Sequence, residues 1–167
     1  MIYKSFISMV PPTATAQHKG SRIVYDHGKP KIMHYTKLPQ RKAHDEYVRH
    51  LNADINRRED GIGKEFMFTT AIAVEIDFFF PNPSNTPKRN KNKTLAKVTR
   101  PDADNMVKML LDCMTEVGLI QDDCLVFDLH IRKFTTVQNH VGIGITITDE
   151  LDDYTLDGGT KEAKDNE

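Results

Sequence analysis

The chain reads as an α+β domain in which two main helices cover a mixed sheet of about four strands, in the order βαβαββ. Three stretches predict it. In Phe66 to Phe80, Ile72, Val74, Ile76, Phe78 and Phe80 alternate with Ala71, Ala73, Glu75, Asp77 and Phe79, the period of a strand with one buried face. Met106, Met109, Leu110, Cys113, Met114 and Val117 recur as the apolar stripe of a core-facing helix. Val141, Ile143, Ile145 and Ile147 restore the strand period, and helices and strands interspersed without an internal repeat point to α+β layering.

Taken in order, Ile2 to Val10 is a short strand stopped by Pro11-Pro12. Thr13 to Thr36 shows neither period and is expected as an irregular segment. It is basic, with Lys19, Arg22, Lys29 and Lys31 against Asp26, and either follows a nucleic-acid backbone or is plain surface. Lys37 to Asn56 is a helix with Ala43, Tyr47, Leu51 and Ile55 along one line, and Arg57 to Lys64 turns through Gly61 and Gly63. Pro81 to Arg100 is a mobile loop carrying Lys88, Arg89, Lys91, Lys93, Lys97 and Arg100 without one acid. Such charge suits phosphate contacts, although a basic run is often only a solvated loop. The central helix is expected from Asn105 to Val117, with Asp104 as N-cap and Gly118 just past its end. Cys124 to Phe134 then alternates, with Leu125, Phe127, Leu129 and Ile131 inward and Asp128, His130 and Arg132 outward. It should pair with the last strand as a hairpin.

A length of 167 residues suits one domain, taken as 1–149, followed by an acidic and disordered tail over 150–167. From Asp149 onward eight acids face two bases, leaving sixteen acids and twenty-one bases in the body. The net charge of −1 therefore hides a basic domain beside an acidic tail. No apolar run is long enough to cross a membrane, and Met1 to Val10 does not read as a signal peptide. Cys113 and Cys124 lack metal spacing and suit a reducing cytoplasm, and the seven histidines are scattered.

The chemistry concentrates between Arg100 and Val126. Asp102 and Asp104, two apart in extended chain, would point to one side, and Lys108 lies one turn on with Asn105, Asp112 and Glu116. A return loop can bring Asp122 or Asp123 beside them. Clustered carboxylates repel unless a cation lies between, and hard Mg²⁺ or Mn²⁺ suits an all-oxygen set. Spacing alone leaves a second account open, a helix cap with favourable dipole charge and an ordinary Lys108–Asp112 pair.

Arg-Pro-Asp-Ala-Asp-Asn-Met-Val-Lys-Met-Leu-Leu-Asp followed by Gly-Leu-Ile-Gln-Asp-Asp-Cys-Leu-Val resembles the signature of the RusA family of Holliday junction resolvases. Pro11 to Gly20 is similar to the opening of its phage and Gram-positive branch. The resemblance implies a RusA-like fold and a Mg²⁺-dependent, homodimeric endonuclease that resolves four-way DNA junctions in recombination or repair, with Mn²⁺ as a possible substitute. It implies Asp102, Asp104 and Asp123 as metal ligands and Lys108 as catalytic cation. Asp122, Asp112 and Asn105 would support them, and Lys19, Arg22, Lys88, Arg89, Lys91, Lys93, Lys97 and Arg100 would meet DNA. It also implies a bacterial or phage protein of the cytoplasm with no small-molecule cofactor beyond the metal and no membrane partner. Ala103, Met106, Cys124 and Leu125 depart from the usual pattern without touching the ligands. Two rivals stand beside it: a non-catalytic DNA-binding or assembly protein, and a metal-dependent nucleotide-sugar transferase using Asp102-Ala103-Asp104.

Overall fold

The computed structural model describes residues 1–14 and 19–150, so the expected tail lies, apart from Glu150, outside the described residues. Its elements are β1 (Ile2–Ile7), β2 (Lys19–Asp26), β3 (Lys29–Thr36), α1 (Leu38–Arg57), β4 (Ile72–Pro81), β5 (Leu95–Ala96), α2 (Ala103–Glu116), β6 (Val126–Thr136) and β7 (Gly142–Thr148). Five strands form one sheet in the order β1-β7-β4-β6-β5, and β2 and β3 form a second sheet of two. The α+β reading holds, with five strands in the main sheet where about four were expected.

β4 is the spine. Ile72, Val74, Ile76, Phe78 and Phe80 are buried on its inner side, while its outer residues are half-buried. β7 lies antiparallel on one flank, setting Ile147, Ile145 and Ile143 opposite Val74, Ile76 and Phe78. β1 continues that face with Tyr3 and Ile7, both buried. The two helices close the core: α1 brings Ala43, Tyr47, Leu51 and Ile55, and α2 brings Met106, Met109, Leu110, Cys113 and Met114. The Tyr3 hydroxyl donates to Asp54 at 2.8 Å and the Arg58 guanidinium lies 4.6 Å from the Tyr3 ring centroid, tying the first strand to the end of α1.

Three expectations are corrected. β6 does not pair with β7; it runs parallel to β4 on the flank away from β7. The chain after β6 crosses to the other side of β4, where the isoleucines of β7 lie between two strands instead of beside one. Phe127 and Leu129, expected inward and buried, are 48% and 39% exposed. The register slips by one at the start of β6, from Ile72 opposite Val126 to Ala73 opposite Asp128, leaving Phe127 as the extra residue. Leu129 then faces inward near an edge that the two-residue β5 covers only farther along.

The third correction is the stretch expected as irregular, most of which is an antiparallel ribbon. Its turn, Asp26-His27-Gly28-Lys29, has positive φ at both central residues (48° and 78°), the two-residue geometry that joins twisted strands tightly. The α1 stripe, by contrast, holds as expected.

Leu110 is fully buried where α2 meets the sheet. Leu110→Ala should therefore lower unfolding free energy by about 2–5 kcal/mol in chemical denaturation. A decrease under about 1 kcal/mol would mean that α2 is not seated on the core.

Candidate active site

The parallel pairing of β4 and β6 requires a long crossover, and everything singled out around Asp102 lies on it. After Pro81 the basic loop makes a short turn at Lys88–Asn90 and then runs back along the edge of β6. Leu95 pairs with Thr135 and Ala96 with Phe134, and the Lys97 N–H donates to the Lys133 carbonyl at 2.9 Å. The Lys133 ammonium donates to the carbonyls of Thr99 (3.0 Å) and Pro101 (2.6 Å). The chain is thereby carried toward the start of β6 before α2 begins, and the expected mobile loop is pinned at its far end.

α2 starts earlier than its sequence suggests. Asp102 is the N-cap, in extended conformation, and its carbonyl accepts from the Met106 N–H at 3.3 Å. Asp104 therefore lies inside the first turn, and the two carboxylates do not share one side of an extended chain. The Asp102 side chain makes no capping hydrogen bond. Both aspartates are exposed at the start of the helix, and the half-buried Asn105 sits beside them in the same turn.

Gly118, at φ 75°, ends α2, and the return loop is anchored by reciprocal bonds between Phe68 and the pair Leu119 and Gln121 (3.1 and 2.9 Å). Asp122 then caps a short turn over Asp123–Leu125, accepting from the Cys124 N–H at 2.8 Å. This turn sets Asp123 against α2, where Lys108 hydrogen-bonds it while holding Asp112 at 2.7 Å. Those bonds, Asp112 first and Asp123 second, keep the Lys108 ammonium above its ordinary lysine range and so protonated at any working pH. Glu75 and Asp77 lie away from this group, paired with Arg132 on the outer side of the sheet.

As a cation site the arrangement is right in chemistry and loose in assembly. Asp102, Asp104 and Asp123 offer carboxylate oxygens only, the donors a hard divalent ion prefers. Among the described residues no three His, Cys, Asp or Glu side chains already stand together as a metal-binding group. Lys108 occupies the near side of Asp123.

The expected DNA-facing cations fall in two places. Arg22 lies exposed on β2, within 6.0 Å of the Tyr35 ring centroid, and Lys19 opens that strand. Lys88, Arg89, Lys91, Lys93 and Arg100 are exposed along the crossover. Lys97 is held back: its ammonium sits 5.0 Å from the Phe80 ring centroid and donates to Thr99 at 2.5 Å. Burial, then the neighbouring Lys133, lowers its pKa. Sequence reasoning missed Lys133. Its signal was a lysine at the position after Leu129 and Ile131 where the inward pattern calls for an apolar residue.

The description "Endodeoxyribonuclease RusA" belongs to the family whose model matches residues 10–148. The "Uncharacterized protein YqaN" of Bacillus subtilis (strain 168) is 28% identical over 87 residues, covering 48% of this chain and 61% of that protein. The chain thus spans less than two thirds of that relative's length.

The return loop can be checked through its thiol. The Asp122 carboxylate, with burial second, holds the exposed Cys124 thiol above its usual range. Asp122→Asn should lower that pKa, raise the thiolate fraction and speed alkylation of Cys124 severalfold near neutral pH. Cys113, buried and pushed up to about 12 by that burial, should stay unlabelled as the internal control. An unchanged rate at Cys124 would place Asp122 elsewhere.

Proposed function

The chain belongs to the RusA endodeoxyribonuclease family, and from that premise we propose that it is a structure-selective, divalent-metal-dependent endodeoxyribonuclease resolving four-way DNA junctions. The observation that carries the reading is the contact between Lys108 and Asp123 across the crossover, inside the matched region. It joins a lasting cation to a carboxylate fifteen residues away, one helical turn from Asp104.

Asp102, Asp104 and Asp123 would hold Mg²⁺, or Mn²⁺ in its place, which when bound supplies Lewis acidity at the scissile phosphate. Lys108 stabilises negative charge as it grows on that phosphate, its ammonium oriented by Asp112. Asp122 fixes the turn that presents Asp123, and Asn105 in the first turn of α2 supports the carboxylates. Lys88, Arg89, Lys91, Lys93 and Arg100 take the phosphates flanking the site, with Arg22 and Lys19 adding a second track. A junction needs two matched nicks, which a two-fold homodimer delivers. No described helix is long and apolar enough to cross a membrane. Two free cysteines suit the reducing cytoplasm of a bacterium or of a phage-infected cell.

Asp102→Asn, Asp104→Asn and Asp123→Asn should each abolish nicking of a synthetic four-way junction in Mg²⁺ while leaving junction binding intact or tighter. Lys108→Ala and Lys108→Arg should fold, bind and cleave at least about a hundredfold slower in single-turnover assays. Cleavage within a few-fold of the parent would reduce Lys108 to an ion-pair residue.

Replacing Lys88, Arg89, Lys91 and Lys93 together with alanine should flatten the salt dependence of junction binding. The log–log slope should fall by up to about 0.9 for each phosphate that the variant no longer neutralises. A slope equal to the parent's would make the loop solvated surface.

A further inference from the structure

Both helices pack on the inner side of the sheet. On its outer side the registers align Phe6 of β1, Gly144 of β7, Asp77 of β4 and Arg132 of β6 in one row. Neighbouring strands lie about 4.8 Å apart, so Phe6 and Asp77 stand roughly 10 Å apart with only a glycine between them. The gap is a cavity of about 330 Å³, bordered also by Lys4, Thr146 and Glu75 from the next row. Beside this hole stands a knob. Phe6 is 49% exposed, and its ring leans across β7 toward Phe79, 6.0 Å away between centroids. Gly142 permits the lean, because a Cβ there would lie 2.4 Å from the Phe6 ring. Phe79 in turn stacks on Phe134 at 5.1 Å, so Phe6 ends a ridge of three aromatic rings. Charge around the hole balances. Arg132 pairs with Glu75 and, at 2.6 Å, with Asp77, while the exposed Lys4 ammonium forms no ion pair among the described residues.

We infer that a second copy of this chain packs on this face about a two-fold axis, each Phe6 ring entering the depression above the partner's Gly144. A two-fold interface brings one patch against itself, so a knob and a hole side by side on that patch fill each other twice. A parallel pair such as β4–β6 is ordinarily covered on both faces, and the helices cover only one. Two acids and two bases around the hole let identical faces meet without net repulsion, and Lys4 gains a carboxylate across the interface. A nucleic-acid strand on this face would instead bring its phosphates against Glu75 and Asp77. The inference rests on the nuclease reading for the existence of a dimer and gives that dimer its surface. With the outer faces joined, α2 and its aspartates stay on the far side of each sheet, uncovered.

The test is sedimentation of the full chain without metal or DNA. The parent should sediment as a dimer. Phe6→Asp removes the knob, and Gly144→Leu fills the hole from within the same chain, where an added Cβ meets nothing closer than 3.6 Å. Each should raise the dimer dissociation constant at least about a hundredfold. Ile23→Asp, on the exposed β2–β3 ribbon, should leave the dimer as it is. Melting curves establish that the variants fold, and should one not fold, the other decides. A monomeric parent, or a dimer that survives both Phe6→Asp and Gly144→Leu, would overturn the assignment, as would a dimer that only Ile23→Asp breaks. A dimer broken by the two substitutions, in a parent that never nicks a junction, would sink the nuclease reading and leave this surface standing. Nicking by a parent whose dimer withstands both would do the reverse.

Discussion

Parallel pairing of β4 and β6 is the constraint on which the rest depends. Antiparallel neighbours can be joined by two residues, but parallel neighbours require the chain to travel back the full length of the sheet. Here that return absorbs the basic loop, the edge strand, α2 and the turn at Asp122. The same connection that solves a topological problem carries both the basic residues and the aspartates of the candidate site. An antiparallel pairing of β4 with β6 could have been closed by a short turn instead.

Two lysines set the geometry inside that connection, and they do different things. Lys133 takes two backbone carbonyls and fixes where α2 starts. Lys108 takes two carboxylates and fixes how close the return loop comes. Most of Lys108 is open to water, so its ion pairs add little to stability, as exposed pairs generally do. Their value is positional: the loop holding Asp123 has a charge partner before any other ligand arrives. Displacing Lys108 from Asp123 frees a carboxylate and an ammonium together, next to each other.

Legibility followed burial. The stripes of α1, α2, β4 and β7 could be read because one face of each is packed against the same core, and a core residue leaves a periodic mark. Residues 19–36 left none because every residue of β3 is exposed, so no face is selected for apolarity. The Asp-His-Gly turn was the available clue. Pairing partners were harder still: Val141 to Thr148 looks the same whether its neighbour is β6 or β4, and only the packing on either flank decides. At the site, Asp-x-Asp offers two possible caps, and the chain chose the earlier one because Asp102 is the last residue in extended geometry. The meeting of Lys108 with Asp123 lay within reach of sequence reasoning because helix length and loop length bound where the return could land.

The β2–β3 ribbon has its own energetics. Among the described residues its strands bond only to each other, and Ile23, Tyr25 and Ile32 are each more than 60% exposed. Opening it would uncover little apolar surface that water does not already reach, so the ribbon can melt and reform without drawing on the cooperativity of the five-stranded core. A protease cutting at the His27–Gly28 turn would meet a segment that unfolds by itself, and the nicked chain would keep its core and its carboxylates in register.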